Sequence, residues 1–303
     1  MNFAPIILFV YNRLGHTQKT LEALGRNDLA RESDLFIYSD GFKDENIRSK
    51  VEEVRGYIQE IKGFKSVTIV QREYNWGLAN NIIDGATQIV NKYGKVIVLE
   101  DDLVTVPFFL TFMNHALDYY VEDRRIFCVT GYNYPALRMP LPNGYSDEIY
   151  FSQRPSSWGW ATWQDRWGKA KWDMKIYQQD MKKREFRRQC NKLGDDFLRM
   201  FYLQIRGKIN SWAIRWDISC LRNSGYCVYP VNSLVRNIGF DDSGTHSSGS
   251  DKSLFNSEMS SLNRVAKFVQ FSQEKDFTDQ MAKMFKYGLL KRFKILLKNM
   301  LGL

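Results

Sequence analysis

Histidine, proline and cysteine are scarce here, at three, seven and four in 303 residues. The four cysteines, Cys128, Cys190, Cys220 and Cys227, stand far apart in no metal-ligand spacing. That argues against a thiolate metal site or a disulfide framework and reads as buried, reduced thiols of a cytoplasmic protein. The apolar run Pro5 to Val10 has no basic flank and is broken by Asn12-Arg13. It is expected to be a buried first strand, being too short for a secretion signal or a membrane span. No RNA-binding signature, Gly-rich basic tract or internal repeat occurs, so nothing supports nucleic acid as a partner.

What is present is an ordinary globular composition, 44% hydrophobic and 25% charged, with a formal charge of +9 that suggests an anionic partner. The distribution of that charge narrows the choice. From Thr278 onward Met281, Phe285, Leu289, Phe293, Leu296 and Met300 recur at helical spacing, with Lys283, Lys286, Lys291, Arg292, Lys294 and Lys298 between them. This pattern predicts a basic amphipathic helix that either lies on an anionic membrane surface or packs on the domain.

The first hundred residues alternate between strand and helix patterns, which predicts an α/β fold with a mainly parallel, Rossmann-like sheet flanked by helices. Strands are expected at Ile6–Tyr11, Leu35–Tyr38, Val67–Val70, Val96–Leu99 and Ile126–Thr130, with helices at Thr17–Leu24, Ile47–Ile61, Leu78–Val90 and from Pro107 to Tyr120. The stretch from Tyr132 to Asp147 reads as a surface loop. The second half differs, holding seven of the eight tryptophans and fewer clean alternations. Residues 1–130 are therefore read as a nucleotide-binding half, 131–250 as an acceptor-binding half of the same domain, and 251–303 as a tail.

Glu100-Asp101-Asp102 ends the apolar run Val96 to Leu99, at the sheet edge where open α/β folds bind ligands. Three adjacent acids repel one another unless a cation or hydrogen bonds compensate them, and Mg²⁺ or Mn²⁺ bridging to substrate phosphates would do so. Arg13 and Asp40, after the first and second strands, share that edge. Arg13 suits a departing diphosphate, and Asp40 a uracil or ribose group or a plain turn. A sugar-phosphate nucleotidyltransferase would use similar chemistry, but it usually needs a Gly-rich loop where Tyr11-Asn12-Arg13-Leu14-Gly15-His16 carries one glycine.

Six segments in order, Ile7–Arg13, Tyr38-Ser39-Asp40-Gly41, Asn75-Trp76-Gly77-Leu78-Ala79, Val98–Leu103, Ser157-Trp158-Gly159-Trp160 and Cys227-Val228-Tyr229-Pro230, resemble the GT-A glycosyltransferases, most closely the N-acetylglucosaminyltransferase I type within the family-2-like group. The resemblance implies a GT-A fold with an acceptor-side subdomain and metal-dependent, inverting transfer from a UDP-sugar, UDP-N-acetylglucosamine or another UDP-hexose. It makes Asp102 the metal ligand and sets Glu100 and Asp101 on the sugar and ribose side. Arg13 would meet the diphosphate and Asp40 the uracil, with Tyr11, Asn12, Asn75 and Gly77 also on the donor. Trp158 and Trp160 would underlie the donor sugar. The stretch Asn237 to His246 resembles the loop that closes over the nucleotide, with Ser243 on the donor and His246 on phosphate or metal.

The pattern breaks at the general base. The family carries an Asp-Asp between tryptophans, whereas Ser211-Trp212-Ala213-Ile214-Arg215-Trp216-Asp217 has no acid directly after Trp212. Asp217 is the nearest substitute, unless it pairs with Arg215 or Arg222, and Asp165 is next. The tryptophans suit a sugar platform, although for most of them core packing is the better reading. The expected acceptor is a glycan or a polyprenyl-diphosphate-linked oligosaccharide at the inner membrane face. A carbohydrate-binding relic that has lost its base is the non-catalytic alternative.

Overall fold

A computed structural model describes residues 2–241 and 255–287. In order the chain forms β1 (Ile6–Val10), α1 (Leu14–Gly25), β2 (Asp34–Ser39), α2 (Arg48–Gln59), β3 (Ser66–Gln71), α3 (Leu78–Tyr93), β4 (Lys95–Glu100), β5 (Leu103–Thr105), α4 (Phe109–Tyr119) and β6 (Ile126–Thr130). There follow β7 (Ile149–Ser152), β8 (Trp160–Trp163), α5 (Gln164–Trp167), α6 (Gln178–Lys182), α7 (Arg184–Lys192), α8 (Asp195–Ile205), α9 (Trp212–Arg222), β9 (Tyr226–Pro230), β10 (Val235–Asn237) and α10 (Thr278–Met284).

Eight strands form one sheet in the order β3-β2-β1-β4-β8-β6-β9-β7, and β5 pairs with β10 in a separate ribbon. The β3-β2-β1-β4 half is parallel throughout. Its inner strands are apolar on both faces because helices cover both faces. Ile6, Leu8 and Val10 enter the core shared with α1 and α4, while Ile7 and Phe9 enter the opposite core beneath α3 and α9. Each such side chain contributes about 1.5–3 kcal/mol by leaving water. The sheet runs on past residue 130, since β7, β8 and β9 all join it.

Beyond β8 the chain builds α6, α7 and α8 around a third core of Tyr177, Phe186, Cys190, Phe197 and Phe201, which packs on Ile214 and Ile218 of α9. Of the tryptophans, Trp160, Trp163, Trp167, Trp212 and Trp216 are at most 4% exposed and belong to the cores. The four cysteines are buried free thiols.

The tail departs from its predicted helix. The turns from Thr278 stop at Met284, and Phe277, Met281 and Ala282 are buried in the domain. This start of the tail packs inward because its apolar residues complete the core beneath β7. The remainder of the predicted amphipathic helix, from 288, lies outside the described residues. Among the described residues no helix is long and apolar enough to cross a membrane.

Candidate active site

The parallel half brings the carboxyl ends of β1, β2 and β4 to one edge, with Val10 beside Ser39 and Phe9 beside Glu100. The residues that follow those ends form the site. Arg13 Nη2 bonds Asp101 and, at 2.8 Å, Asp102 Oδ2. Burial opposes the guanidinium's charge, but the two carboxylates outweigh it and hold Arg13 above its ordinary pKa. Thr20 Oγ1 donates to the Asp101 carbonyl at 2.8 Å, tying α1 to the end of β4.

One guanidinium does not balance the acids. Burial first, then Asp102 and Asp101, push the Glu100 carboxyl up to about 8 against the pull of Arg13. Burial likewise raises Asp101, and Arg13 limits the rise. Asp101 Oδ2 is buried without a hydrogen-bond partner. Such an atom carries the full cost of its lost hydration unless a further cation or donor arrives. A divalent ion fits this donor set: hard carboxylate oxygens in excess of positive charge suit Mg²⁺ or Mn²⁺, which take one or two protein carboxylates and fill their shell with water and phosphate. Among the described residues no group of three or more His, Cys, Asp and Glu could hold a metal by itself. Water or substrate oxygens would complete the shell of any ion held here.

The ribbon β5–β10 folds over these acids. Ile238 N donates to the Asp102 carbonyl at 2.8 Å, and a Cβ on Gly239 would overlap Asp102 Oδ2. Only glycine lets this backbone pass so closely. Phe240 next packs on Trp158, and Asp241 Oδ2 stands 3.1 Å from His16 Nε2. The segment after Asn237 thus lies across the site as far as Asp241; Ser243 and His246 lie outside the described residues.

Asn12, Arg13, His16, Lys50 and Glu53 line an open hollow of about 440 Å³ on the outer side of the acids. Tyr11 lies nearby, its hydroxyl accepting from Lys43 N at 3.2 Å. Asp40, Asn75 and Gly77 do come together, but on each other. Asp40 Oδ1 accepts from Gly41 N and Trp76 N at 2.9 and 2.8 Å, and Oδ2 from Gly77 N and Asn75 Nδ2 at 2.9 and 3.3 Å. A carboxylate has about four acceptor positions, and these four bonds use them. These contacts match the plain-turn reading of Asp40: it is a 5%-exposed clamp that caps the amino end of α3, with Gly77 at φ +74 providing the turn.

On the inner side, β8 runs antiparallel to β4 with Trp160 opposite Val98, so the preceding residues rise toward Glu100. Gly159, at φ +61, breaks the strand alternation between the two tryptophans. Trp158 consequently packs on Tyr132 and Phe240 at the site, while Trp160 turns into the core against Trp167 and Trp212. Being 2% exposed, Trp160 cannot meet a donor sugar, which corrects its expected role.

Asp165 is corrected for the same topological reason. It follows β8 at the end paired with Lys95, the opposite edge of the sheet from Glu100, and is bound to Arg124 and Arg166. Asp217 has the better position. With Ala213 one turn before it on α9, it lines a cleft of about 170 Å³ together with Tyr132, Tyr134, Arg154, Ser157, Trp158, Phe255 and Phe285. The suspected ion pairs do not form: Arg222 binds Asp180, and Arg215 binds Asn210. Among the described residues Asp217 accepts no hydrogen bond, and burial raises its carboxyl well above the ordinary carboxylate range, with Arg154 opposing.

Sequence reading missed Arg154. It is 9% exposed, donates from Nη1 and Nη2 to Asp196 at 2.9 and 2.6 Å, and stacks on Phe285 at 3.6 Å. Asp196 so consumes the charge that would otherwise clamp Asp217. Nothing local marked Arg154, because its partners lie some forty residues or more away in sequence.

A family model described as the GNT-I family matches residues 1–200. An Arabidopsis thaliana protein, alpha-1,3-mannosyl-glycoprotein 2-beta-N-acetylglucosaminyltransferase, is 24% identical over 269 residues, covering 78% of this chain and 58% of the relative. The chain therefore spans little more than half the length of that relative. Among solved structures, a Pyrobaculum calidifontis mannosyltransferase in complex with GDP-Man and Mn²⁺ has TM-score 0.30 and 14% identity, over 42% of this chain and 35% of that one. Staphylococcus aureus TarS has TM-score 0.38 and 12% identity, over 80% and 38%. Structural similarities this remote say nothing about this chain's chemistry.

Proposed function

Because the chain belongs to the GNT-I family, we propose that it transfers a sugar from a UDP-sugar, UDP-N-acetylglucosamine or another UDP-hexose, to a glycan acceptor with inversion at the anomeric carbon. The observation that carries this reading is the run Glu100-Asp101-Asp102, held at the carboxyl edge of β4 with Arg13 as its counter-charge and Asp101 Oδ2 orphaned. Asp102, the most exposed of the directly paired acids, would hold Mn²⁺ or Mg²⁺. When bound, that ion offsets negative charge on the diphosphate.

The chain's own groups account for the rest. Of Arg13 only Nη2 is engaged among the described residues, leaving donors for a phosphate oxygen. Gly239 passes close over Asp102, Phe240 packs on Trp158, and Trp158 offers the donor sugar a flat apolar face. An acceptor hydroxyl in the inner cleft gives its proton to Asp217. Its oxygen bonds the anomeric carbon as the bond to the diphosphate oxygen breaks, and the nucleoside diphosphate leaves with that electron pair. Asp217 serves as a base because no cation pairs it and burial raises its proton affinity.

Calorimetric titration of UDP in the presence of Mn²⁺, repeated with EDTA and with GDP and ADP, tests the donor reading. Micromolar binding that needs both uracil and metal is expected. Absence of binding by every nucleotide would leave a carbohydrate-binding relic.

A further inference from the structure

The positive charge is not spread over the molecule. Between Lys169 and Lys208 twelve Lys and Arg stand against five Asp and Glu, a net +7 of the chain's +9. From Thr278 six stand against one, so everything outside these two segments sums to −3. The first segment contains the helical insertion α6–α8, itself net +3, which belongs to neither the donor edge nor the sheet.

Its charge is also ordered. On α7, Phe186 and Cys190 are buried in the insertion's core, followed by Leu193 just beyond the helix. Arg184, Arg187, Arg188 and Lys192, at i, i+3, i+4 and i+8, fall on the opposite stripe and are exposed. Glu185, paired with Arg188, is the single acid on this helix. A solvated surface helix ordinarily mixes both signs; a stripe of one sign on a chain that is net acidic outside its two basic segments indicates a flat anionic partner. The insertion further exposes apolar side chains, Ile176 at 51% and Tyr202 at 37%, which suit an interface with lipid headgroups better than a phosphodiester backbone.

We propose that the α6–α8 insertion, with the outward stripe of α7 at its centre, is a docking surface for an anionic lipid bilayer. The insertion rests on α9, the same helix that carries Asp217 of the inner cleft. A bilayer seated on the insertion therefore lies beside the proposed acceptor cleft rather than behind the donor edge. Tyr287 also reaches the insertion, its N donating to Asp195 Oδ2 at 2.7 Å at the start of α8. This proposal goes beyond the transfer reading, and its test uses no turnover.

Binding of the full chain to phosphatidylserine-rich vesicles would be measured by sedimentation at low salt, against phosphatidylcholine vesicles. The variants are R184Q/R188Q/K192Q, which spares Arg187 because it caps the end of α6, and K291Q/R292Q/K294Q/K298Q in the tail. An unchanged thermal melt establishes that each is folded. Loss of three surface cations is expected to weaken vesicle binding on the order of 100-fold, with added salt abolishing what remains. The proposal is overturned if the α7 variant binds within about threefold of the parent, if phosphatidylcholine binds equally, or if duplex DNA of matched charge outcompetes the vesicles. UDP binding, run in parallel, reports on the transfer reading separately.

Discussion

Replacing Asp217 by Asn tests the acceptor side most directly, since the two side chains have nearly the same shape and differ in proton affinity. Loss of a positioned general base costs about 10²–10⁴ in rate, or about 3–5 kcal/mol of transition-state stabilisation. The structure argues for the upper part of that range, because several other acids among the described residues are engaged or distant. Asp196 is locked on Arg154, Asp101 and Asp102 share Arg13, and Asp165 lies at the far edge of the sheet. Stability should move the other way. Asp217 accepts no hydrogen bond among the described residues, so Asn orphans no donor and removes an unpaired charge from a half-buried position.

The pH dependence supplies an independent sign. The base form of Asp217 is needed, so kcat rises with pH through a value above the ordinary carboxylate range, and this limb disappears in D217N. For stability, a carboxyl whose folded pKa is raised binds its proton more tightly in the native state. Stability therefore declines as pH climbs from the unfolded pKa through the folded one, and D217N flattens that slope. The assay is transfer to an acceptor glycan at saturating donor across pH, with UDP affinity as control. A variant that turns over within about tenfold of the parent, or loses UDP binding, refutes the assignment.

Two further substitutions separate the remaining roles. Asp165→Asn should leave kcat and KM within about twofold, because it lies at the far edge of the sheet, while costing more in a thermal melt than the about 1 kcal/mol of a surface pair, because its partner Arg166 is only 1% exposed. Gly239→Ala puts a methyl group onto Asp102 Oδ2, so that carboxylate or the covering segment must shift; kcat/KM is expected to fall on the order of 100-fold, with the melt little changed, and an unaltered kcat/KM would remove this segment from the site.

The parallel half of the sheet was legible because each strand there is a continuous apolar run and each crossover a periodic helix. The observed β3, Ser66–Gln71, extends the expected Val67–Val70 by one residue at each end. The carboxylate run was legible for the same reason, since a strand's end locates its ligand edge. What failed depended on long-range geometry. Nothing local shows that β8 runs antiparallel to β4, yet that direction alone removes Asp165 from the site. Trp158 and Trp160 read as a pair until the left-handed Gly159 sends them to different places. Asp40 resembles a free acceptor until its partners arrive from 36 and 37 residues away.

Asp40 and Asp217 together show why acidic residues near a ligand edge cannot be assigned by position alone. The decisive quantity is the residual bonding capacity of each carboxylate. Asp40 spends its acceptor positions on Gly41, Asn75, Trp76 and Gly77, so its negative charge organises the amino end of α3 and none remains for a base. Asp217 spends none among the described residues, because Asp180, Asn210 and Asp196 have already engaged Arg222, Arg215 and Arg154. Asp101 is intermediate, with one oxygen on Arg13 and one orphaned. An orphaned buried oxygen and an unpaired carboxylate each raise the free energy of the empty protein. Bound charge at the donor edge and a proton in the inner cleft relieve those two costs, which is how this fold would favour the transition state over the resting site.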